Sequence, residues 1–204
     1  MKAAVVNQTL QRPIGRLLAV VIVLVFALTA CASADPLADQ VAAGDGKNYI
    51  AGDGSISEYI PEARGASVEL SAELYDGTMV DSADWQGQVT VLNFWYAACP
   101  PCRLEARDLE SLHQKHKDNG VLFYGVNVRD PEATAAAFER NFGVTYPSID
   151  DQDGGVLFSM TDYVPPQAVP TTLVLDKQGR VAARILGLVD KNTLDALISE
   201  AVAE

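Results

Sequence analysis

From about residue 68 onward, apolar positions alternate between two periods. Val89-Thr90-Val91-Leu92-Asn93-Phe94-Trp95 and Val121-Leu122-Phe123-Tyr124-Gly125-Val126-Asn127-Val128 are nearly continuous apolar runs and predict buried strands. Between and after them the spacing lengthens to that of amphipathic helices. These are Arg103 to Lys117 with Leu109 and Leu112 inward, Pro131 to Phe142 opened by Asp130 and ended at Gly143, and Asp190 to Val202 with Leu194, Leu197 and Ile198 on one face. Val68 to Ala72 and Thr78 to Val80 flank Asp76-Gly77, a pair suited to a hairpin turn. Val156 to Tyr163 predicts a short helix, and Thr171 to Asp176 pairs with Arg180 to Leu186 around Lys177-Gln178-Gly179. Strand, helix and strand followed by a hairpin and a helix describe an α/β fold, a mixed sheet covered on both faces.

The residues before this pattern read differently. Lys2, Arg12 and Arg16 precede an apolar run from Leu17 to Leu28, short against the roughly 20 residues a spanning helix needs. Leu28-Thr29-Ala30-Cys31 follows and resembles a bacterial lipobox, which implies cleavage before Cys31 and lipid attachment at it. An uncleaved signal anchor is the alternative. Residues 1–30 are thus expected to be a signal peptide, 31–62 a flexible tether rich in Asp, Gly, Ser and Ala, and 63–204 one folded domain. Gly44-Asp45-Gly46, Gly52-Asp53-Gly54 and Asp150-Asp151-Gln152-Asp153-Gly154 lack the ligand ladder of a calcium loop and read as turns.

Charge narrows the partners. Without the three basic residues of the signal, 12 basic side chains face 27 acidic ones, a net charge of −15. Such acidity argues against nucleic acid and against electrostatic adhesion to anionic lipid, so membrane attachment falls to the lipid or anchor.

The chemistry concentrates in Cys99-Pro100-Pro101-Cys102, which follows a predicted strand and opens a predicted helix. A cysteine at a helix start is favoured as thiolate by the dipole and by free N–H groups, and a second thiol two residues on resolves a mixed disulfide. Cys99 is therefore expected to be the exposed attacking thiol and Cys102 the more buried resolver. A zinc site would need His113 and His116, whose spacing from Cys102 is shorter than a finger requires and which no strand hairpin precedes; they are assigned to a solvated helix face. Pro100 and Pro101 lack N–H donors, which tempers the fall in thiol pKa and makes the pair less oxidising. Glu105, one turn after Cys102 and on the face of Leu109 and Leu112, is expected to be buried, with a raised pKa and proton exchange with Cys102; an ordinary first-turn glutamate is the alternative. Trp95 and Tyr96 are candidates to shape a substrate groove, with core packing of Trp95 as the alternative.

From Ala66 to Ala203 the chain resembles the thioredoxin fold, and within it the membrane-attached TlpA/ResA branch of thiol–disulfide oxidoreductases. Asn93-Phe94-Trp95, Cys99-Pro100-Pro101-Cys102, Glu105, the helix-bearing insert and Ala168-Val169-Pro170-Thr171-Thr172 carry the likeness. The resemblance implies a cis Val169–Pro170 bond facing the disulfide, and Val169 backbone groups offered to a substrate chain. It also implies a thioredoxin-like sheet with an N-terminal hairpin and a central helical insert. Asn93 stands where thioredoxins carry a buried aspartate, which leaves Glu105 as the acid. Arg107 replaces the proline usual in the branch, so a straighter helix is expected. The peroxiredoxin pattern Pro-x-x-x-Thr-x-x-Cys is absent from the sequence.

The implied function is a protein-disulfide reductase outside the cytoplasm. Its clients would be protein disulfides, including apocytochrome c before haem attachment, and a membrane electron donor would recharge it. No cofactor site is legible. The alternatives are a disulfide-forming oxidase or isomerase, or a redox-silent surface lipoprotein with a structural bridge.

Overall fold

The computed structural model describes residues 53–204. The expected signal segment, Cys31 and the expected tether up to residue 52 lie outside the described residues. The chain order is β1 (Asp53–Glu58), β2 (Ser71–Glu73), β3 (Met79–Asp81), β4 (Thr90–Trp95), α1 (Pro100–His116), β5 (Leu122–Asn127), α2 (Glu132–Phe142), β6 (Ser148–Asp150), α3 (Gly155–Ser159), β7 (Thr171–Leu175), β8 (Val181–Gly187) and α4 (Lys191–Ala203).

Six strands form one mixed sheet in the order β1-β8-β7-β4-β5-β6. β4 and β5 are parallel neighbours joined through α1, while β4 and β7 run antiparallel. Every residue of β4 is buried, as a central strand covered on both faces requires. One core layer gathers Val91, Leu109, Leu112, Val174, Ile185, Leu194 and Ile198 beneath α1 and α4. The opposite layer gathers Trp85, Leu92, Phe94, Ile149, Leu173 and Leu175. β2 and β3 make a separate two-stranded hairpin around the Asp76–Gly77 turn, in which Gly77 takes φ +83°. Residues 128 to 170 supply α2, β6 and α3, the helical insert.

Three sequence expectations change. The tether does not extend to residue 62, because Asp53–Glu58 adds an antiparallel edge strand to β8. Its residues make the ladder through backbone groups, so a polar, Gly-containing stretch pairs without an apolar signature. β6 also goes unpredicted, being only three residues long. Asp130 does not cap α2. Pro131 occupies that position, and the Asp130 side chain turns instead toward β4. α1 runs over 17 residues, with Arg107 exposed.

Candidate active site at the Cys99–Cys102 disulfide

The C-terminal ends of β4 and β5, the start of α1 and the loop before β7 meet at the two cysteines. Cys99 is the N-cap of α1, and Pro100 and Pro101 fill the first helical positions, where a missing N–H costs nothing. Cys99 and Cys102 form a disulfide across a Cα–Cα distance of 5.3 Å, within the normal span for such a bond. The Cys102 N–H donates to Cys99 Sγ at 3.3 Å, the one amide the Pro-Pro pair leaves for the cap. The Val169–Pro170 bond is cis, and the Val169 carbonyl oxygen lies 3.9 Å from Cys99 Sγ. The Val169 N–H is engaged within its own loop, donating to the Gln167 carbonyl at 3.1 Å. Pro170 is buried, and its carbonyl accepts from the Gly187 N–H at 2.8 Å.

The expected difference in exposure between the two sulfurs is not found. Cys99 is 0% exposed and Cys102 2%, because both pack with Trp95, Tyr96, Ala106, Phe138 and Val169. What distinguishes Cys99 is its place at the positive end of α1 with an N–H aimed at its sulfur, not access to solvent. Trp95 and Tyr96 are corrected likewise. Both are 4% exposed, so neither lines an open groove. Trp95 stacks on Phe138 at 4.4 Å between ring centroids, while the Arg129 guanidinium caps the Tyr96 ring at 4.2 Å. The exposed positions around the cysteines are Ala98, Pro100, Arg103 and Leu104, with Pro101 half-buried. Leu104 is 71% exposed, and Leu188, next to the Gly187 that bonds Pro170, is 44% exposed.

Glu105 is buried at 1% exposure. Its Oε1 accepts from Asn93 Nδ2 at 2.9 Å and its Oε2 from the Val189 N–H at 2.9 Å. Burial pushes its pKa up to about 8, and the two donors offset only part of that effect. Asn93 Nδ2 also donates to Thr172 Oγ1 at 3.0 Å, tying the carboxyl to β7 beside the cis bond. A narrow cavity lined by Asn93, Cys102, Ala106, Leu109 and Phe138 places Asn93 and Cys102 on one wall system. Glu105 therefore holds the amide of Asn93, a residue that lines the same cavity as Cys102.

The histidines are not on a solvated face. His116 is 4% exposed with Nε2 2.7 Å from Asp195 Oδ1 of α4. His113 is half-buried, edge-on to Phe123 and Tyr146, and burial lowers its pKa. Both serve the packing of α1 on its buried face, about three to four turns along the helix from Cys102. In the Asp150–Gly154 turn, Asp151 accepts from the Val156 and Leu157 N–H groups at 2.7 and 2.9 Å, fixing the start of α3.

Sequence reasoning missed the loop after β5. Asp130 Oδ2 accepts from the Ala97 N–H at 2.6 Å, immediately before the cysteine motif, and from Asn127 Nδ2 at 3.0 Å. Asn127 Oδ1 accepts in turn from the N–H groups of Arg129 and Asp130 at 3.0 and 2.8 Å. The available signal was an Asn-x-x-Asp-Pro sequence at the end of a strand parallel to and neighbouring β4.

Comparison with known proteins agrees with this geometry. The AhpC/TSA family model matches residues 65–184. The thiol-disulfide oxidoreductase ResA of Geobacillus kaustophilus is 34% identical over 113 residues, which is 55% of this chain and 63% of that protein. The chain thus spans less than two thirds of that relative's length. A secreted thiol-disulfide isomerase from Corynebacterium glutamicum superposes with a TM-score of 0.69 at 33% identity, covering 74% of this chain and 95% of the other. A DsbF homologue from Corynebacterium diphtheriae gives a TM-score of 0.64 at 35% identity, covering 73% and 94%.

Proposed function

We propose that this chain, which belongs to the AhpC/TSA family, is an extracytoplasmic thiol–disulfide oxidoreductase that reduces protein disulfides through Cys99 and Cys102. The observation that carries the reading is the disulfide at the N-cap of α1, with Cys99 Sγ facing the Val169 carbonyl of a cis-proline loop. In the reaction, the Cys99 thiolate attacks one sulfur of a client disulfide and expels the other client sulfur as a thiolate. The Cys102 thiolate then attacks Cys99 Sγ, closing the internal disulfide and releasing the second client sulfur, so two electrons pass to the client. The ionised Glu105 carboxylate takes the Cys102 proton and its neutral form returns it, an exchange suited by a pKa of about 8, close to that of a thiol. With Trp95, Tyr96, Val169 and Pro170 all buried, client contact falls to Pro100, Pro101, Leu104, Leu188 and the exposed Pro166 and Gln167 of the loop before the cis bond.

A reducing direction is supported by the Pro100-Pro101 pair, which leaves the Cys99 thiolate one helix amide and so favours the disulfide over the dithiol. Likeness to the ResA branch suggests an apocytochrome cysteine pair as client and a membrane dithiol as electron donor. The signal-like segment and Cys31 support attachment to the outer face of the cell membrane through lipid. The test is the Cys99–Cys102 potential measured against glutathione. A value near the about −270 mV of thioredoxin supports the reductant, and one near about −120 mV would make the protein an oxidase. A bridge that resists reduction while the protein stays folded would leave it structural.

A further inference from the structure

We propose that Asp130 is a positioning residue for Cys99, holding the turn that seats its sulfur at the helix N-terminus; this rests on the dithiol-exchange reading. The turn from Tyr96 to Cys99 is closed by the Cys99 N–H donating to the Tyr96 carbonyl at 3.1 Å. Its second residue, Ala97, is clamped from outside the motif by the Asp130 carboxylate, 33 positions away in sequence. That carboxylate is itself fixed. Asn127 donates to it and accepts from its own loop, the Val128 N–H ties that loop to the Trp95 carbonyl at 3.1 Å, and the Tyr75 hydroxyl donates to the Asp130 carbonyl at 2.7 Å. The β2–β3 hairpin, β5 and the cysteine loop thereby share one network. The Ala97 carbonyl takes a further donor, Arg103 Nη1 at 3.1 Å, so both polar groups of this residue are held.

The consequence is electrostatic through geometry. Cys99 Sγ keeps a single helix donor, the Cys102 N–H, and keeps it only while the turn holds the sulfur over the end of α1. The titratable groups around the turn are Arg103 and Glu105 of α1, and Arg129 and Asp130 of the β5–α2 loop, with Glu132 beginning α2 and, around the neutral Tyr75 hydroxyl on the hairpin, Glu139 of α2 and Asp150 of β6. Losing the Asp130 side chain has two opposed effects on the Cys99 thiol. Removing a negative charge lowers its pKa, and releasing the turn raises it toward the ordinary value. Asp130→Asn removes the charge but retains an oxygen for the Ala97 N–H, whereas Asp130→Ala removes both.

The experiment follows Cys99 alkylation by iodoacetamide from pH 5 to 10 in the reduced full-length protein carrying Cys102→Ser, alone and with each Asp130 change. Asp130→Ala should raise the apparent pKa by about half to one unit and slow alkylation at pH 7 about 3- to 10-fold, with Asp130→Asn restoring the wild-type profile or shifting it slightly down. Tyr75→Phe should give a smaller upward shift. Asp130→Ala and Asp130→Asn moving together downward would make Asp130 only a nearby charge. An unchanged profile in Asp130→Ala would make it only a structural tie. If Asp130→Ala does not fold, an unchanged Tyr75→Phe profile overturns the proposal. The underlying reading fails separately, when the reduced wild-type protein transfers no electrons to any protein disulfide while these alkylation profiles behave as described.

Discussion

Replacing Glu105 by Gln should remove the pH dependence of stability that this one carboxyl imposes. In the folded protein its pKa is about 8, against an ordinary value of 4.5. Below pH 4.5 both folded and unfolded chains hold the proton, and the burial carries no charge. Between 4.5 and 8 the unfolded chain releases the proton and the folded one keeps it, so stability falls as pH rises. Above 8 the loss is complete. At 1.36 kcal/mol per pH unit the whole interval amounts to about 5 kcal/mol, an upper value. The substitution is close to isosteric. The introduced amide can still accept from the Val189 N–H through its oxygen. An Asn93 amide turned over can accept from the introduced NH₂ while taking the Thr172 hydroxyl as donor. An Asn93 that failed to turn would leave two donors facing each other, at about 1–3 kcal/mol independent of pH. The assay is urea unfolding of the disulfide-bonded proteins at pH 5, 7 and 9. In that form the cysteines do not titrate, and other groups, among them His113 and Asp151, cancel in the difference between the two proteins. Asp130, Asn127 and the cysteine motif are untouched. We expect the variant to equal or trail the wild type at pH 5 and to exceed it by several kcal/mol at pH 9. Parallel stability curves across this range would refute a buried carboxyl titrating near neutrality.

Three further outcomes follow from the same structure. Cys102→Ser should accumulate mixed disulfides with client proteins while Cys99→Ser accumulates none, detected on non-reducing gels; preferential alkylation of Cys102 in the folded dithiol would reverse the roles. Cys31→Ser should abolish metabolic lipid labelling and leave uncleaved precursor or released protein; a lipid-free native protein that begins elsewhere would sink the anchor alone. Gly125→Ala should lower stability by about 1–3 kcal/mol, because its Cβ would lie 2.6 Å from the buried indole nitrogen of Trp95 and 2.5 Å from Ser148 Oγ; an unchanged melting temperature would show that this contact relaxes freely.

The sequence alone determined the central part of the fold and the chemistry of its motif. Continuous apolar runs marked β4 and β5, helical spacing marked α1, α2 and α4, and two cysteines at a helix start announced dithiol exchange, because each signal is carried by neighbours within a few turns of chain. The inward face of Glu105 was legible for the same reason, since Leu109 and Leu112 share it. Tertiary structure alone decided which surfaces are covered. β1 joins the sheet through backbone bonds to β8, which a polar sequence does not advertise. His113 and His116 are covered by Phe123, Tyr146 and α4, elements that approach only in three dimensions. Cys99 lost its expected exposure to a loop 70 residues away, and its turn is held by a carboxylate 33 residues away. Periodicity reports which face of an element is apolar. What lies against that face depends on how distant elements pack, and a single chain's local pattern holds no record of it.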